Sequence, residues 1–209
     1  MVEILIVKYG LPDYEAECVC QVMNTVGVPY HLTVYDNYPL DEPLSKVWNR
    51  LIKRSNAPFV CLLNNDTIPH NGWLDKMLEV YQEKKDVGAV GCVSNTAGSI
   101  QGGFKKPLSE KKIQRVNMLS GFCLLFEKKV WEMAGGFDER FKLYGEDSDF
   151  CRKVMKLDLN LYVRFDAFVY HYGRKSTPNA VKRGKDIAKI KEESSRIYNE
   201  NWNKDNNEL

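Results

Sequence analysis

The chain has 209 residues, enough for one large or two small domains, and a formal net charge of +2 at pH 7. Hydrophobic residues make up 44% and charged residues 28%, the balance of an ordinary globular protein with a sizeable core. So small a charge gives no grounds for a nucleic-acid partner or for general membrane affinity. The longest nearly apolar run, about Met118 to Phe126, is far short of the ~20 residues that span a bilayer.

The opening MVEILIVKYG lacks a basic leader and does not read as a signal peptide. The cysteines Cys18, Cys20, Cys61, Cys92, Cys123 and Cys151 form no C-x-x-C pair, and most lie in apolar runs. They are expected to be reduced core thiols, not a disulfide framework or a zinc site. A cytoplasmic protein with no transmembrane segment is the expectation. No feature of the sequence sets an oligomeric state.

In chain order, Val2 to Tyr9 reads as a buried strand broken by Gly10-Leu11-Pro12. Tyr14 to Thr25 has a helical stripe of Cys18, Val19, Val22 and Met23. His31 to Tyr35 is a short strand closed by Asp36-Asn37. Leu44 to Arg54 is a helix with Leu44, Val47, Trp48, Leu51 and Ile52 on one face. Phe59 to Leu63 is an unbroken apolar run, the signature of a strand covered on both faces. Leu74 to Glu83 reads as a helix and Val87 to Val93 as a strand. Strands alternating with helices predict a mainly parallel sheet wound in the Rossmann manner.

Ser94 to Lys112 reads as an exposed loop, long enough to suggest a function. Leu119 to Phe126 is expected as a strand, Lys128 to Ala134 as a short helix, and Glu146 to Leu157 as a helix. Asn160 to Phe165 and Ala167 to Tyr170 read as two short strands. From about Ala180, Ile187, Ile190, Ile197, Tyr198 and Trp202 recur at helical intervals, predicting an amphipathic helix that packs on the body and frays after Trp202. The expected division is a domain over 1–180 and this helix with its tail over 181–209.

Four motifs carry chemistry. Asp36-Asn37 ends a strand where a fixed carboxylate can accept the N3–H of uracil or thymine; a capping or turn role explains it as well. Asn64-Asn65-Asp66 ends the central strand, at the edge where open α/β sheets bind ligands, and offers a carboxylate to a metal or an Asx turn. Glu146-Asp147-Ser148-Asp149 opens a helix, where acids also favour the dipole. There Glu146 and Asp149 share a face and Asp147 points about 100° away, so one acid can face a substrate while others cap the helix or pair with Arg152. His171, followed by Gly173, Arg174 and Lys175, suits a diphosphate site.

In this order, YDNYPLDEP, CLLNNDTIPHNGWL, SGFCLLFEKKVWEMAGGFDERF, YGEDSDFCRKV and VYHYGRKST resemble the family 2 inverting nucleotide-sugar glycosyltransferases of the GT-A fold, across roughly Val2 to Lys175. The resemblance implies a single α/β domain and metal-dependent transfer of a sugar from a nucleoside diphosphate, UDP or dTDP, to a hydroxyl of a glycan or other acceptor. It implies Asp147 as general base and Glu146 as its neighbour toward the acceptor. Tyr9, Asp36, Asn37 and Asn65 would bind the nucleotide. Asp66 and His171 would hold a divalent cation, Mn²⁺ or Mg²⁺. Gly121, Arg174 and Lys175 would border the donor sugar or acceptor.

The chain departs from the family at Tyr38-Pro39 in place of Gly-Ser, at Trp48-Asn49-Arg50-Leu51 in place of Arg-Asn-x-Gly, and at Asn64 in place of the first metal acid. Two rival readings are a nucleotidyltransferase, which would show a Gly-rich basic loop after the first strand, and a non-catalytic nucleotide-sugar or glycan-binding protein.

Overall fold

The computed structural model describes residues 1–203. Eight strands form one sheet: β1 (Val2–Lys8), β2 (Tyr30–Asp36), β3 (Phe59–Asn64), β4 (Thr67–Pro69), β5 (Val87–Val93), β6 (Ile113–Val116), β7 (Cys123–Glu127) and β8 (Asn160–His171). The order is β2-β1-β3-β7-β5-β8-β4, with β6 paired to β8 off that path. β1 runs parallel to β2 and β3, and β5 parallel to β8, while β7 is antiparallel to both β3 and β5. Thus β2, β1, β3, β5 and β8 point the same way, and β7, β4 and β6 oppose them. The sheet is mixed, with a parallel majority.

The helices are α1 (Pro12–Thr25), α2 (Leu44–Arg54), α3 (Trp73–Glu83), α4 (Lys128–Met133), α5 (Glu146–Met155), α6 (Thr177–Lys182) and α7 (Ile187–Trp202). They cover both faces of the sheet. Alternate strand residues point to opposite faces, so Leu5, Leu62, Leu124 and Val163 join α2 and α5 in one core. Ile4, Ile6, Cys61, Leu63 and Cys123 join α1 and α3 in the other. All six cysteines are free thiols, and all but Cys20 are buried.

Several boundaries differ from the sequence reading. The strand expected from Leu119 begins at Cys123, because Leu119 and Gly121 turn their N–H groups to α5: to Cys151 Sγ at 3.3 Å and to Asp147 Oδ2 at 2.9 Å. The two short strands near the end are one strand, β8, whose pairing with β5 shifts register between Arg164 and Phe168. Polar Asp166 sits in that irregularity and pairs with Arg164. The short elements β4, β6 and α6 have no apolar period to announce them. The amphipathic helix from Ile187 is present, with Ile190 and Ile197 buried. The expected fraying beyond Trp202 falls mostly on 204–209, outside the described residues.

Arg140 and Asp138 form an ion pair at 2.5 Å, and Asp138 also accepts from Asn201 of α7 at 3.1 Å. Asp149 of α5 accepts from Asn201 and from the Trp202 indole, both at 2.9 Å. α7 is therefore fastened to the base of α5. Among the described residues, no helix is long and apolar enough to cross a membrane.

Candidate active site

The parallel strands deliver Tyr9, Asn64–Asp66 and His171 to one edge of the sheet. A cavity of about 270 Å³ opens there. Tyr9, Asn37, Asn65, Asp66, Gly121, Glu146, Asp147, His171, Arg174 and Lys175 all line it, ten of the eleven residues singled out from the sequence. Asp36 does not. It is exposed, its carboxylate 3.6 Å from Lys8 Nζ and accepting the Tyr38 N–H at 3.0 Å.

Asp66 and His171 meet across 105 residues because Thr67 of β4 pairs with His171 at the end of β8. Asp66 Oδ1 lies 3.1 Å from His171 Nε2, and Asp66 Oδ2 accepts the Lys175 N–H at 3.3 Å. Burial pushes the Asp66 carboxyl up, but the His171 hydrogen bond and charge and the Lys175 N–H outweigh it and hold it below its ordinary value. The far ring nitrogen, Nδ1, is 3.3 Å from the Thr96 carbonyl, which only accepts, so Nδ1 carries the proton. Asn95 fixes the same residue through its backbone, accepting His171 N–H at 2.7 Å and donating to its carbonyl at 3.1 Å.

In the neutral ring, Nε2 and Asp66 Oδ1 are two electron-pair donors facing each other, with Asn64 Nδ2 3.4 Å from Nε2; a proton on Nε2, which the lowered Asp66 carboxyl reflects, or a small cation bound by both satisfies the pair. Ligand atoms ~2.1 Å from one ion and at right angles stand about 3 Å apart, so the pair fits a divalent ion that takes its other ligands from phosphate and water. Among the described residues, no group of three or more His, Cys, Asp or Glu side chains is placed to hold a metal. Asn65, 3% exposed, has a side-chain Nδ2 without a partner. Arg174 has no acidic partner among the described residues.

The acids of α5 divide by role. Gly145 turns the chain into the helix at φ 92°, and a Cβ there would lie 2.9 Å from the Phe141 ring. Asp147 accepts from Gly121 N–H at 2.9 Å and from Ser148 N–H at 2.7 Å. Glu146 is 6% exposed, and its Oε2 has no hydrogen-bond partner among the described residues. Burial, reinforced by the Asp147 charge, pushes the Glu146 carboxyl well above its ordinary range. Asp149 faces away to Lys153, 3.0 Å distant, and to α7. Of the two roles expected for the other acids, capping the helix or pairing with Arg152, the second is not taken up: Arg152 packs over the rings of Tyr198 and Trp202.

The other end of the cavity is tied shut. Tyr9 Oη donates to Asp41 Oδ1 at 2.5 Å, and Lys185 Nζ reaches the same oxygen at 2.5 Å. Burial, then the bond to Asp41, push the Tyr9 phenol up, so it stays a donor. Asn179 of α6 donates to the carbonyls of Tyr9 and Gly10 at 3.1 and 2.7 Å. Asn37 lines the wall, with its amide spent on the Glu42 backbone at 2.9 and 3.1 Å.

Sequence reasoning missed Trp48, Tyr144 and Lys185, which also line the cavity. Tyr144 directly precedes the Gly-Glu-Asp motif and was the one with a local signal. The long loop is anchored more firmly than expected: Gln101 is fully buried, donating to Cys92 O and accepting the Ser120 N–H, each at 2.8 Å.

A mixed α/β sheet with a carboxylate–histidine pair and a helix-borne acid at its carboxyl edge defines a GT-A-type domain. Residues 4–185 match the Glycosyltransferase like family 2, and the chain belongs to that family. It is 28% identical over 136 residues to the O-antigen biosynthesis protein RfbC of Myxococcus xanthus, covering 53% of this chain and 10% of that one. It is 36% identical over 75 residues to the N-acetylglucosaminyl-diphospho-decaprenol L-rhamnosyltransferase of Mycobacterium tuberculosis, covering 35% of this chain and 24% of that one. Both matches span less than half of the relative's length. The fold is similar to that of GalNAc-T7 solved with UDP, GalNAc and Mn²⁺, at TM-score 0.68 and 10% identity, covering 82% of this chain and 43% of that one.

Proposed function

We propose that this domain transfers a sugar from a nucleoside diphosphate, UDP or dTDP, to a hydroxyl of a glycan, with inversion at the anomeric carbon. The observation that carries this reading is the convergence of Asp66 and His171, the helix-borne Asp147, and the unpartnered donors Asn65 and Arg174 on one cavity. Asp66 and His171 would hold Mn²⁺ or Mg²⁺, which supplies positive charge against the leaving diphosphate. The fold neighbour solved with UDP and Mn²⁺ supports that choice. The name of the Myxococcus relative supports a glycan acceptor.

In this reading Asn65 and Arg174 bind diphosphate oxygens. Tyr9 borders the base, with Asn37 shaping its wall, and Asp36, which lies outside the cavity lining, meets the base only by turning its carboxylate inward. Gly121 and Lys175 border the sugar. The acceptor oxygen bonds to the anomeric carbon as the bond to the diphosphate oxygen breaks, its electron pair leaving with the diphosphate. The acceptor proton passes to Asp147. Glu146, kept neutral, donates a hydrogen bond to a sugar oxygen. The segment 172–185, including α6, excludes water that would otherwise hydrolyse the donor. The described residues from 181 to 203, with α7 fastened to α5, extend the same domain.

The test combines a melting-temperature screen of nucleoside diphosphates, with and without Mn²⁺, with a donor-turnover assay on wild type and Asp147→Asn. Stabilisation by UDP that requires metal, together with at least about a hundredfold loss of turnover in the variant, is expected. No stabilisation by any nucleoside diphosphate sinks the reading. Stabilisation without turnover in the wild type identifies a non-catalytic binding protein instead.

A further inference from the structure

A second depression, a groove of about 470 Å³, lies beside the cavity on the outer side of α5. Met118, Ser148, Arg152, Met155, Tyr198 and Trp202 line it. It continues the cavity along two segments. Ser120 and Gly121 line the cavity and Met118 the groove; Asp147 lines the cavity and Ser148 the groove. Ser148 Oγ stands 3.3 Å from Asp147 Oδ1 and 3.9 Å from Met118 Sδ. A ligand in the groove thus begins beside the proposed base.

Arg152 sets the groove's chemistry. Its guanidinium carbon lies 5.5 Å from the Trp202 ring centroid and 5.9 Å from that of Tyr198. Trp202 is itself fixed by its indole bond to Asp149. Stacking on rings orients a guanidinium without using its N–H donors. No carboxylate pairs with Arg152 among the described residues, although the next residue, Lys153, pairs with Asp149 at 3.0 Å. An exposed cation is thus held in place with its hydrogen-bonding fork unspent among the described residues. Met118 and Met155 add adaptable apolar surface suited to the C–H face of a sugar.

We propose that this groove binds the acceptor, and that the acceptor is a glycan bearing a carboxylate on the sugar next to the reacting hydroxyl. The planar, two-pronged guanidinium matches a carboxylate in geometry, and Lys156, which also lines the groove with its Nζ 4.7 Å from the Trp202 ring centroid, adds positive charge. The inference rests on the transfer reading of the cavity.

The experiment follows the Trp202 indole and Arg152 Nε–H signals by NMR during titration with benzyl β-D-glucuronide, benzyl β-D-glucoside and benzyl phosphate. Wild type and Arg152→Met are compared, the latter keeping the length of an exposed side chain. UDP with Mn²⁺ is titrated into the same samples. Saturable shifts with the glucuronide but not the glucoside, and at least tenfold weaker binding in Arg152→Met with unchanged UDP affinity, are expected. Equal binding of glucoside and glucuronide, or an indifferent Arg152→Met, overturns the proposal. Preference for benzyl phosphate overturns the carboxylate. Failure of wild type to bind UDP overturns the cavity reading, and the acceptor role with it, whatever the glucuronide does.

Discussion

Gly121 holds Asp147 twice: its N–H donates to Asp147 Oδ2 at 2.9 Å, and its bare Cα leaves room for the acid's own Cβ. A Cβ at position 121 would lie 3.2 Å from Asp147 Cβ and 3.4 Å from Oδ2. Gly121→Ala should therefore shift the carboxylate by a few tenths of an ångström with little harm to the fold. Turnover is expected to fall about tenfold or more while UDP affinity stays level, since sub-ångström misplacement is costly to transfer. Steady-state kinetics beside calorimetric UDP binding checks this; equal losses in both would mean the residue serves the donor instead.

Glu146 should act as a neutral group. Glu146→Gln keeps its shape and a donor, so kcat/KM is expected within about threefold of wild type, whereas Glu146→Ala should lose more than about tenfold. The pH dependence of stability has a definite sign. An acid whose folded-state pKa is raised binds more protons folded than unfolded above its ordinary value, so stability falls as pH rises through that window. The melting temperature of wild type should drop relative to Glu146→Gln between pH 5 and pH 8. A constant difference would show that Glu146 ionises freely in the fold.

In the proposed reading, removing the Asp66 carboxylate leaves His171 as the one remaining protein ligand for the metal. Asp66→Ala should abolish the metal-dependent part of UDP binding and retain the fold. Calorimetry with Mn²⁺ reads the change directly, and an unaltered affinity would exclude Asp66 as a ligand.

Asp36 does not line the cavity; it is exposed at the end of β2, next to Asn37, which does. If it meets a ring N–H of the base, wild type prefers UDP to CDP and Asp36→Ala loses that preference. A wild type favouring CDP would count against the assignment.

Asn49 gives a test of stability. Its side chain donates to the Phe137 carbonyl at 2.8 Å and accepts the Phe137 N–H at 2.9 Å, fastening the Gly-Gly-Phe-Asp-Glu segment to α2. Asn49→Ala should cost about 1–3 kcal/mol, because it strands partly buried backbone groups. Urea unfolding measures it, and a loss below about 0.5 kcal/mol would mean the segment is held by packing alone.

The main strands and helices were legible because unbroken apolar runs such as Phe59–Leu63 mark strands covered on both faces and apolar residues at 3.6 intervals, as in Leu44–Arg54, mark helices. The motif order also brought Asp66, His171 and Asp147 to one place. Other features had no such signal. The strand β4 is three polar-flanked residues whose partner is a hundred positions away. The link from Tyr9 through Asp41 to Lys185 joins three separate segments, so no local spacing reveals it. Asp36 was placed by its strand end and by its match to the family motif, which fix a backbone position but not where the carboxylate turns. The acids of α5 sit at adjacent positions, yet only the packing of α7 shows that Asp149 belongs to the scaffold.

The pairing of Thr67 with His171 also dictates when the site can exist. As the chain leaves the ribosome, Asp66 appears more than a hundred residues before its partner. Strand β3 likewise waits for β7, which arrives from beyond residue 120 to fill the place beside it. Such distant pairings are slow to form and leave apolar strand edges open meanwhile. A nascent chain halted before His171 holds helices and an unfinished sheet but no Asp66–His171 pair, so competence for the proposed nucleotide binding arrives only with β8.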